Sequence, residues 1–253
     1  MSEEVLVTAA NGVGEVRINR PKKLNALTEA MLRSVSAGIR ELESRDDVGA
    51  IILTGEGRAF SAGDDLKESL ALDTVSFSTL IDSFQDVTRA IVSCPLPVIA
   101  AVNGIAVGGA AEITIACDVR IGGPATEYFF PENGIGLTIS NGSTVLIPAL
   151  IGRRALGLVL LGRRIDIGQA ERLGLVDAVA ETTEGVIEEA RELAADLSAD
   201  WASTSLHLAL LRPSMEVIEE ALETERLAAV KAWDSGVVQK GLTRFWEQRS
   251  AAV

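Results

Sequence analysis

Histidine is nearly absent from this 253-residue chain, which holds one, His207, and only two cysteines, Cys94 and Cys117. No His/Cys set with zinc spacing can be assembled from them, and two thiols give no disulfide framework; they suit a reducing compartment. Cations are outnumbered, with 23 Lys plus Arg against 36 Asp plus Glu and a formal net charge of -13. Phosphate binding draws on clustered Lys and Arg, and so acidic a balance disfavours nonspecific binding of that kind, so neither nucleic acid nor anionic membrane is expected as a partner. The longest apolar stretch, Val98 to Cys117, is nearly membrane length but contains Asn103, Glu112 and the glycines Gly104, Gly108 and Gly109. An interrupted run with a carboxylate fits a strand, a turn and a buried helix better than a span. Met1-Ser2-Glu3-Glu4 has neither the basic nor the apolar region of a secretory signal, which leads us to expect a cytoplasmic protein. With one histidine, acid/base chemistry is expected to run on carboxylates.

What is present reads as one α/β domain with helical additions. Val5-Leu6-Val7 and Val13 to Ile18 flank Asn11-Gly12, a dipeptide that favours tight hairpins. Thr28 can cap a helix whose apolar positions are Met31, Leu32, Val35, Ile39 and Leu42, and Val48 to Leu53 reads as a buried strand. A second cycle gives a helix over 73–93, a strand over 97–102, a short helix over 108–116 and a strand over 118–121. From Ser143 onward the pattern is mostly helical, over 143–150, 153–160, 168–173, 184–197 and 215–233, with one short strand at 175–179.

Familiar catalytic motifs are missing: there is no Gly-x-Ser-x-Gly elbow around Ser61, no Gly-x-Gly-x-x-Gly after a strand and no phosphate loop. His207, between Leu206 and Leu208, reads as structural, and Cys94 and Cys117 as small hydrophobes. Two glutamates remain. Glu112 sits in the apolar run Gly108 to Ala116, where an unpaired carboxylate would be costly; Glu132 follows Phe129-Phe130-Pro131, an aromatic and water-poor setting. Either setting can raise a carboxyl pKa. Two turns also stand out, because Ser61-Ala62-Gly63-Asp64-Asp65 follows a strand and Gly108-Gly109 opens a helix, so both can present unpaired N–H groups to a ligand carbonyl.

Leu24-Asn25-Ala26-Leu27, the run Gly49 to Gly55, Arg58 to Glu68, Pro97 to Gly104 and Cys117-Asp118 together resemble the enoyl-CoA hydratase/isomerase (crotonase) superfamily. The resemblance continues through Leu161-Gly162, Ala170 and Gly174-Leu175-Val176 to the segment from Gly241 to Arg249. It implies an α/β, crotonase-like spiral of ββα repeats with a C-terminal helical region, divided as a spiral core over 1–195 and a helical trimerisation region over 196–253. It also implies an acyl-CoA thioester as substrate, no metal or separate cofactor, and assembly with itself as a homotrimer or a dimer of trimers.

By position, Ala62 and Gly109 match the two oxyanion-hole residues, and Glu112 and Glu132 the two catalytic carboxylates of the hydratases. The resemblance implies that Glu132 supplies a proton to Cα of a trans-2-enoyl thioester while Glu112 acts as base on the water attacking Cβ. Lys23, Leu24 and Ala26, with Ala62, Gly63, Asp64, Asp65 and Leu66, match the stretch bordering the CoA arm. Arg58, Lys22 and Lys67 are candidate phosphate partners, and Phe245 and Arg249 could reach a neighbouring subunit's CoA. The chain departs from the family after Glu132, where Ser140-Asn141-Gly142-Ser143 replaces a Pro-Gly-x-Gly-Gly type loop. Ser140 and Asn141 could move water, bind a polar acyl group or cap the next helix. The departure leaves a Δ3-Δ2 enoyl-CoA isomerase, and a non-catalytic acyl-CoA binding protein, as alternatives.

Overall fold

The computed structural model describes residues 3–69, 71–199 and 201–250; the side chains of 245, 246 and 248–250 lie outside the description. Strands β1 (Val5–Ala10) and β2 (Gly12–Ile18) pair antiparallel from Val5↔Ile18 to Ala10↔Val13. Asn11 and Gly12 make that turn with φ of 53° and 83°, a region these two residue types tolerate. Helix α1 (Glu29–Glu43) follows, its first turn closed by a hydrogen bond from Met31 N–H to Thr28 Oγ1.

Three similar units come next. The first is β3 (Val48–Gly55), β4 (Ala59–Ser61), α2 (Leu66–Ser69) and α3 (Thr74–Ser93); the second is β5 (Val98–Val102), β6 (Ile105–Val107) and α4 (Gly109–Ala116); the third is β7 (Val119–Gly122), β8 (Glu127–Phe129) and α5 (Glu132–Ile135). In each, a strand of one sheet is followed by a three-residue strand of a second sheet and then by helix. The first sheet has the order β1-β2-β3-β5-β7-β10 and the second β4-β6-β8-β9, so each unit advances both sheets by one strand, which is the expected ββα spiral. The rest of the chain supplies α6 (Ser143–Ile151), α7 (Arg154–Leu161), β9 (Arg164–Asp166), α8 (Ile167–Leu173), β10 (Ala178–Val179), α9 (Gly185–Ala199), α10 (Trp201–Leu211), α11 (Met215–Asp234) and α12 (Val237–Ser250).

The apolar run of β3 is explained by burial on both faces. Ile51 and Leu53 join the core under α1 and α3, while Ala50 and Ile52 pack with Ile99, Ala101 and Ile121 against Val186, Ala190 and Ala194 of α9. Helix α9 runs from residue 185 to 199, so the division expected at 195/196 falls inside a helix that covers the first sheet. Helices α11 and α12 fold back over α3 and α5: Trp233 stacks on Phe77 with ring centroids 4.1 Å apart, beside Ile135, Val238 and Leu242. Cys94 and Cys117 are buried and unpaired, as small hydrophobes would be.

Strands of three residues are too short to show alternation, so residue pattern alone does not reveal the second sheet, which only the family resemblance implies. Helix α10 was also unread: it has no polar stripe and none of its residues is buried, so His207, expected in an apolar setting, is exposed on it. No described helix is long and apolar enough to cross a membrane.

Candidate active site

Strands β4, β6 and β8 are neighbours in the second sheet and run parallel. Their C-terminal ends therefore lie side by side, and these deliver Ala62 to Asp65, Gly108 to Glu112, and Glu132 to one place. Glycines allow the close approach. Gly63 has φ of 81°, and a Cβ on it would lie 2.5 Å from Val107 O and 4.0 Å from Gly108 Cα. Gly108 has φ of 56°, and a Cβ there would lie 2.9 Å from Glu132 Oε1.

Both glutamates are buried, Glu112 at 1% and Glu132 at 5% exposure. They flank Gly108, whose carbonyl accepts the Glu112 N–H at 3.0 Å. The Glu112 carboxylate accepts Ser140 N–H at 3.1 Å on each oxygen and Asn141 Nδ2 at 2.8 Å on Oε2. Glu132 Oε2 is buried with no hydrogen-bond partner among the described residues. Burial pushes Glu132 up to about 7. Burial also raises Glu112 well above the carboxylate range, reinforced by repulsion from Glu132 and Glu225 and opposed by the Ser140 and Asn141 donors. Two such groups cannot both ionise cheaply, so near neutral pH the pair holds a proton between them.

Of the two N–H groups expected to face the thioester oxygen, one is free and the other is taken. Gly109 opens α4 with no side-chain cap, and its N–H, as the first of a helix, has no intrahelical partner. Ala62, however, already donates its N–H to Leu24 O at 2.8 Å. Leu27 N–H donates to Gly63 O and Asp65 N–H to Leu27 O, whereas Asp64 N–H donates to nothing among the described residues. The unpaired donor of this turn is therefore Asp64, two residues beyond the expected one; sequence spacing could not say which N–H the segment 24–27 would take. Burial pushes the Asp64 carboxyl itself up to about 7, against the hydrogen bond it accepts from Ser69 Oγ at 2.5 Å.

The other residues expected to border the CoA arm are placed as follows. Residues 24–27 lie along 62–65 through the bonds just given, and Arg20 locks the pair, donating to Asp65 Oδ2 at 2.7 Å and Ala26 O at 3.2 Å. Lys22, Lys23, Arg58 and Lys67 are exposed, and Leu66 packs at the edge of the Trp233 cluster. Phe245 and Arg249 lie outside the described side chains. Ser140 is buried at the back of Glu112, and neither it nor Asn141 caps α6: that helix end is closed by Glu225 of α11, which accepts Gly142 N–H at 2.8 Å, Thr144 N–H at 2.7 Å and Thr144 Oγ1 at 2.6 Å.

Sequence reasoning missed Glu225, although Ile218, Leu222, Glu225 and Ala229 keep the spacing of one buried helix face. It also missed Asn25 as a structural centre. Its buried Nδ2 donates to Glu56 O, Ala59 O and Phe60 O at 3.0, 2.7 and 3.2 Å, and its Oδ1 accepts Arg20 N–H at 2.9 Å. Among the described residues no group of three or more His, Cys, Asp or Glu could hold a metal.

Comparison with known proteins points one way. The family described as Enoyl-CoA hydratase/isomerase matches residues 8–252. A short-chain-enoyl-CoA hydratase of Clostridium acetobutylicum is 34% identical over 249 residues, covering 97% of this chain and 95% of that protein. An enoyl-CoA hydratase structure from Mycobacterium avium subsp. paratuberculosis K-10 superposes with a TM-score of 0.84 at 28% identity, over 97% of this chain and 96% of the other. An enoyl-CoA hydratase/isomerase structure from Xanthobacter autotrophicus Py2 gives 0.86 at 28% identity, over 100% and 99%.

Proposed function

This chain belongs to the enoyl-CoA hydratase/isomerase family, and on that premise we propose that it adds water across the double bond of a trans-2-enoyl-CoA. The observation that carries the reading is a pair of buried, mutually repelling carboxylates beside two turns that each present one N–H, Asp64 and Gly109, unpaired among the described residues. The thioester oxygen accepts from Asp64 N–H and Gly109 N–H, which stabilise it as negative charge builds there; each such donor contributes about 3 kcal/mol in comparable sites.

Water is held between the two glutamates. Glu112 takes its proton as the water oxygen bonds to Cβ, the π electrons move toward the thioester, and Glu132 delivers a proton to Cα. Against the burial and repulsion that raise Glu112, hydrogen bonding supports this division: Glu112 accepts N–H donors from Ser140 and Asn141, which favour its anion, while Glu132 Oε2 has no donor among the described residues and can carry the proton. The exposed cations Lys22, Lys23, Arg58 and Lys67 suit the CoA phosphates. No metal or further cofactor enters this reading.

The test compares Glu112→Gln and Glu132→Gln with a short enoyl-CoA, scoring the product by mass. Each variant is expected to lose hydration by about 10²- to 10⁴-fold. Near-parental hydration in either variant would overturn the two-carboxylate mechanism. A product of unchanged mass with a shifted double bond would identify the isomerase instead, and tight binding without turnover a binding protein.

Self-association completes the reading. Leu206, Leu210 and Leu211 of α10 are exposed, with Trp201, and α10 borders an apolar groove of about 490 Å³ that includes Ile115, Leu146 and Leu150. Bare faces of this kind fit a contact between copies; light scattering is expected to give a trimer or hexamer, and a monomer would remove this part.

A further inference from the structure

We propose that Asn141 is a positioning residue, whose side-chain amide fixes the Glu112 carboxylate to the first turn of α4. The proposal rests on the hydratase reading for its kinetic consequences but not for its geometry. Asn141 is fully buried, and its Nδ2 donates to Glu112 Oε2 at 2.8 Å and to Gly109 O at 3.3 Å. One amide nitrogen carries two hydrogens, so it can hold both acceptors at once. The carboxylate is thereby tied to the residue whose own N–H is an oxyanion donor.

Asn141 is held for this task from two other elements. Thr88 Oγ1 on α3 donates to Asn141 O at 3.2 Å, and Glu225 on α11 gathers Gly142 N–H and Thr144 N–H immediately after it. Its φ of 61° is left-handed, which Asn tolerates and most side chains do not. Without the amide, Glu112 would keep only the single Ser140 N–H, shared at 3.1 Å between its two oxygens. Rotation of the carboxylate about its last torsion would then be unopposed.

The surroundings make that donor consequential. The ionisable groups facing Glu112 are Glu132 of α5 and Glu225 of α11, both acidic and both disfavouring its anion. On α3, Asp82, Asp86 and Arg89 are engaged elsewhere, with Arg226, Arg40 and Glu219. Strands β4 and β6 and helix α6 carry no ionisable side chain, and Tyr128 of β8, whose hydroxyl accepts Thr114 Oγ1 at 3.3 Å, is kept neutral by burial, its pKa raised to about 12. Among the described residues no cation balances the Glu112 charge, so the two donors, Ser140 N–H and Asn141 Nδ2, are what favours it.

The test is Asn141→Gly, which keeps the left-handed backbone at no steric cost and removes only the amide. Protonation of Glu112 is read by isotope-edited infrared titration in the Glu132→Gln background, where one carboxyl of the pair remains, and the band is assigned by its loss on adding Glu112→Gln. The Glu112 midpoint is expected to rise by about one pH unit, since loss of a donor to a carboxylate favours its neutral form. In the parent background the acid limb of kcat/KM should move the same way, with kcat down about tenfold and KM changed less than about twofold.

An unmoved midpoint and acid limb, or a change confined to KM, overturns the proposal. Should the parent protein hydrate no enoyl-CoA, the hydratase reading fails, while the infrared midpoint still decides the role of Asn141. Should Asn141→Gly not fold, Asn141→Ala decides by the same titration: it removes the amide and adds no ionisable group, so it must raise the midpoint in the same direction.

Discussion

The ring of Phe84 stands where a side chain on Gly109 would begin: a Cβ there would lie 2.7 Å from Phe84 Cε1 and 2.9 Å from Cδ1. Helix α4 can therefore sit flush on α3 only with glycine at its first position, and that contact sets where the Gly109 N–H points. Gly109→Ala is expected to destabilise the protein by about 1–3 kcal/mol through overpacking and to lower turnover with it. In a urea-unfolding cycle with Phe84→Ala, the double variant should be less destabilised than the two single variants added together. Additive losses would show that the ring does not limit this turn.

Glu132 links activity to stability through pH. Its carboxyl is raised from 4.5 to about 7 by burial, so between these values the folded protein binds more protons than the unfolded chain. Stability is then highest below about pH 4.5 as far as this group is concerned, and is lost as pH rises through about 7, by about 3 kcal/mol in full. Glu132→Gln should therefore gain on the parent in unfolding free energy between pH 5 and pH 8. A difference independent of pH would contradict it.

Arg20 and Asp65, bonded at 2.7 Å with side chains 20% and 12% exposed, hold segment 24–27 beside 62–65. Burial opposes ionisation of Asp65, but the Arg20 guanidinium and the Lys67 N–H hold its carboxyl below the usual range. Asp65→Asn is expected to cost about 1–3 kcal/mol, because it leaves a half-buried guanidinium short of its counter-charge. It should also raise KM for the CoA ester more than it lowers kcat. The reverse split would place Asp65 nearer the chemistry than the geometry does.

Asn25 makes the most pointed structural prediction. Asn25→Ala strips a donor from three carbonyl oxygens and should cost about 3 kcal/mol or more by urea unfolding. Asn25→Asp, although isosteric, turns an acceptor toward the same three oxygens and should be at least as damaging. A milder effect for Asp than for Ala would show that shape, not donation, matters there.

Much of this was legible in the sequence because it is local. Thr28 caps the helix that its position announces, Asn11-Gly12 makes its hairpin, and the spacing of Met31, Leu32, Val35, Ile39 and Leu42 marks the buried face of α1. Glu112 stood out because a carboxylate in an apolar run has to be explained, and the ordered motifs carried the family. Asn141 was noticed only as a departure, and its bond to Glu112 spans 29 residues of chain.

Chain order and residue type by themselves determined most of the longer helices, the long strands of the first sheet, the two conspicuous glutamates and the glycine turns, since each depends on neighbours within a few residues. Only the tertiary structure decided that β4, β6 and β8 lie side by side, that Asp64 rather than Ala62 has the unpaired N–H, and that Glu225 closes α6. The reason is physical: an N–H is available or taken according to which distant carbonyl packs against it, and three-residue strands have no periodicity of their own, being held in place by the strands beside them.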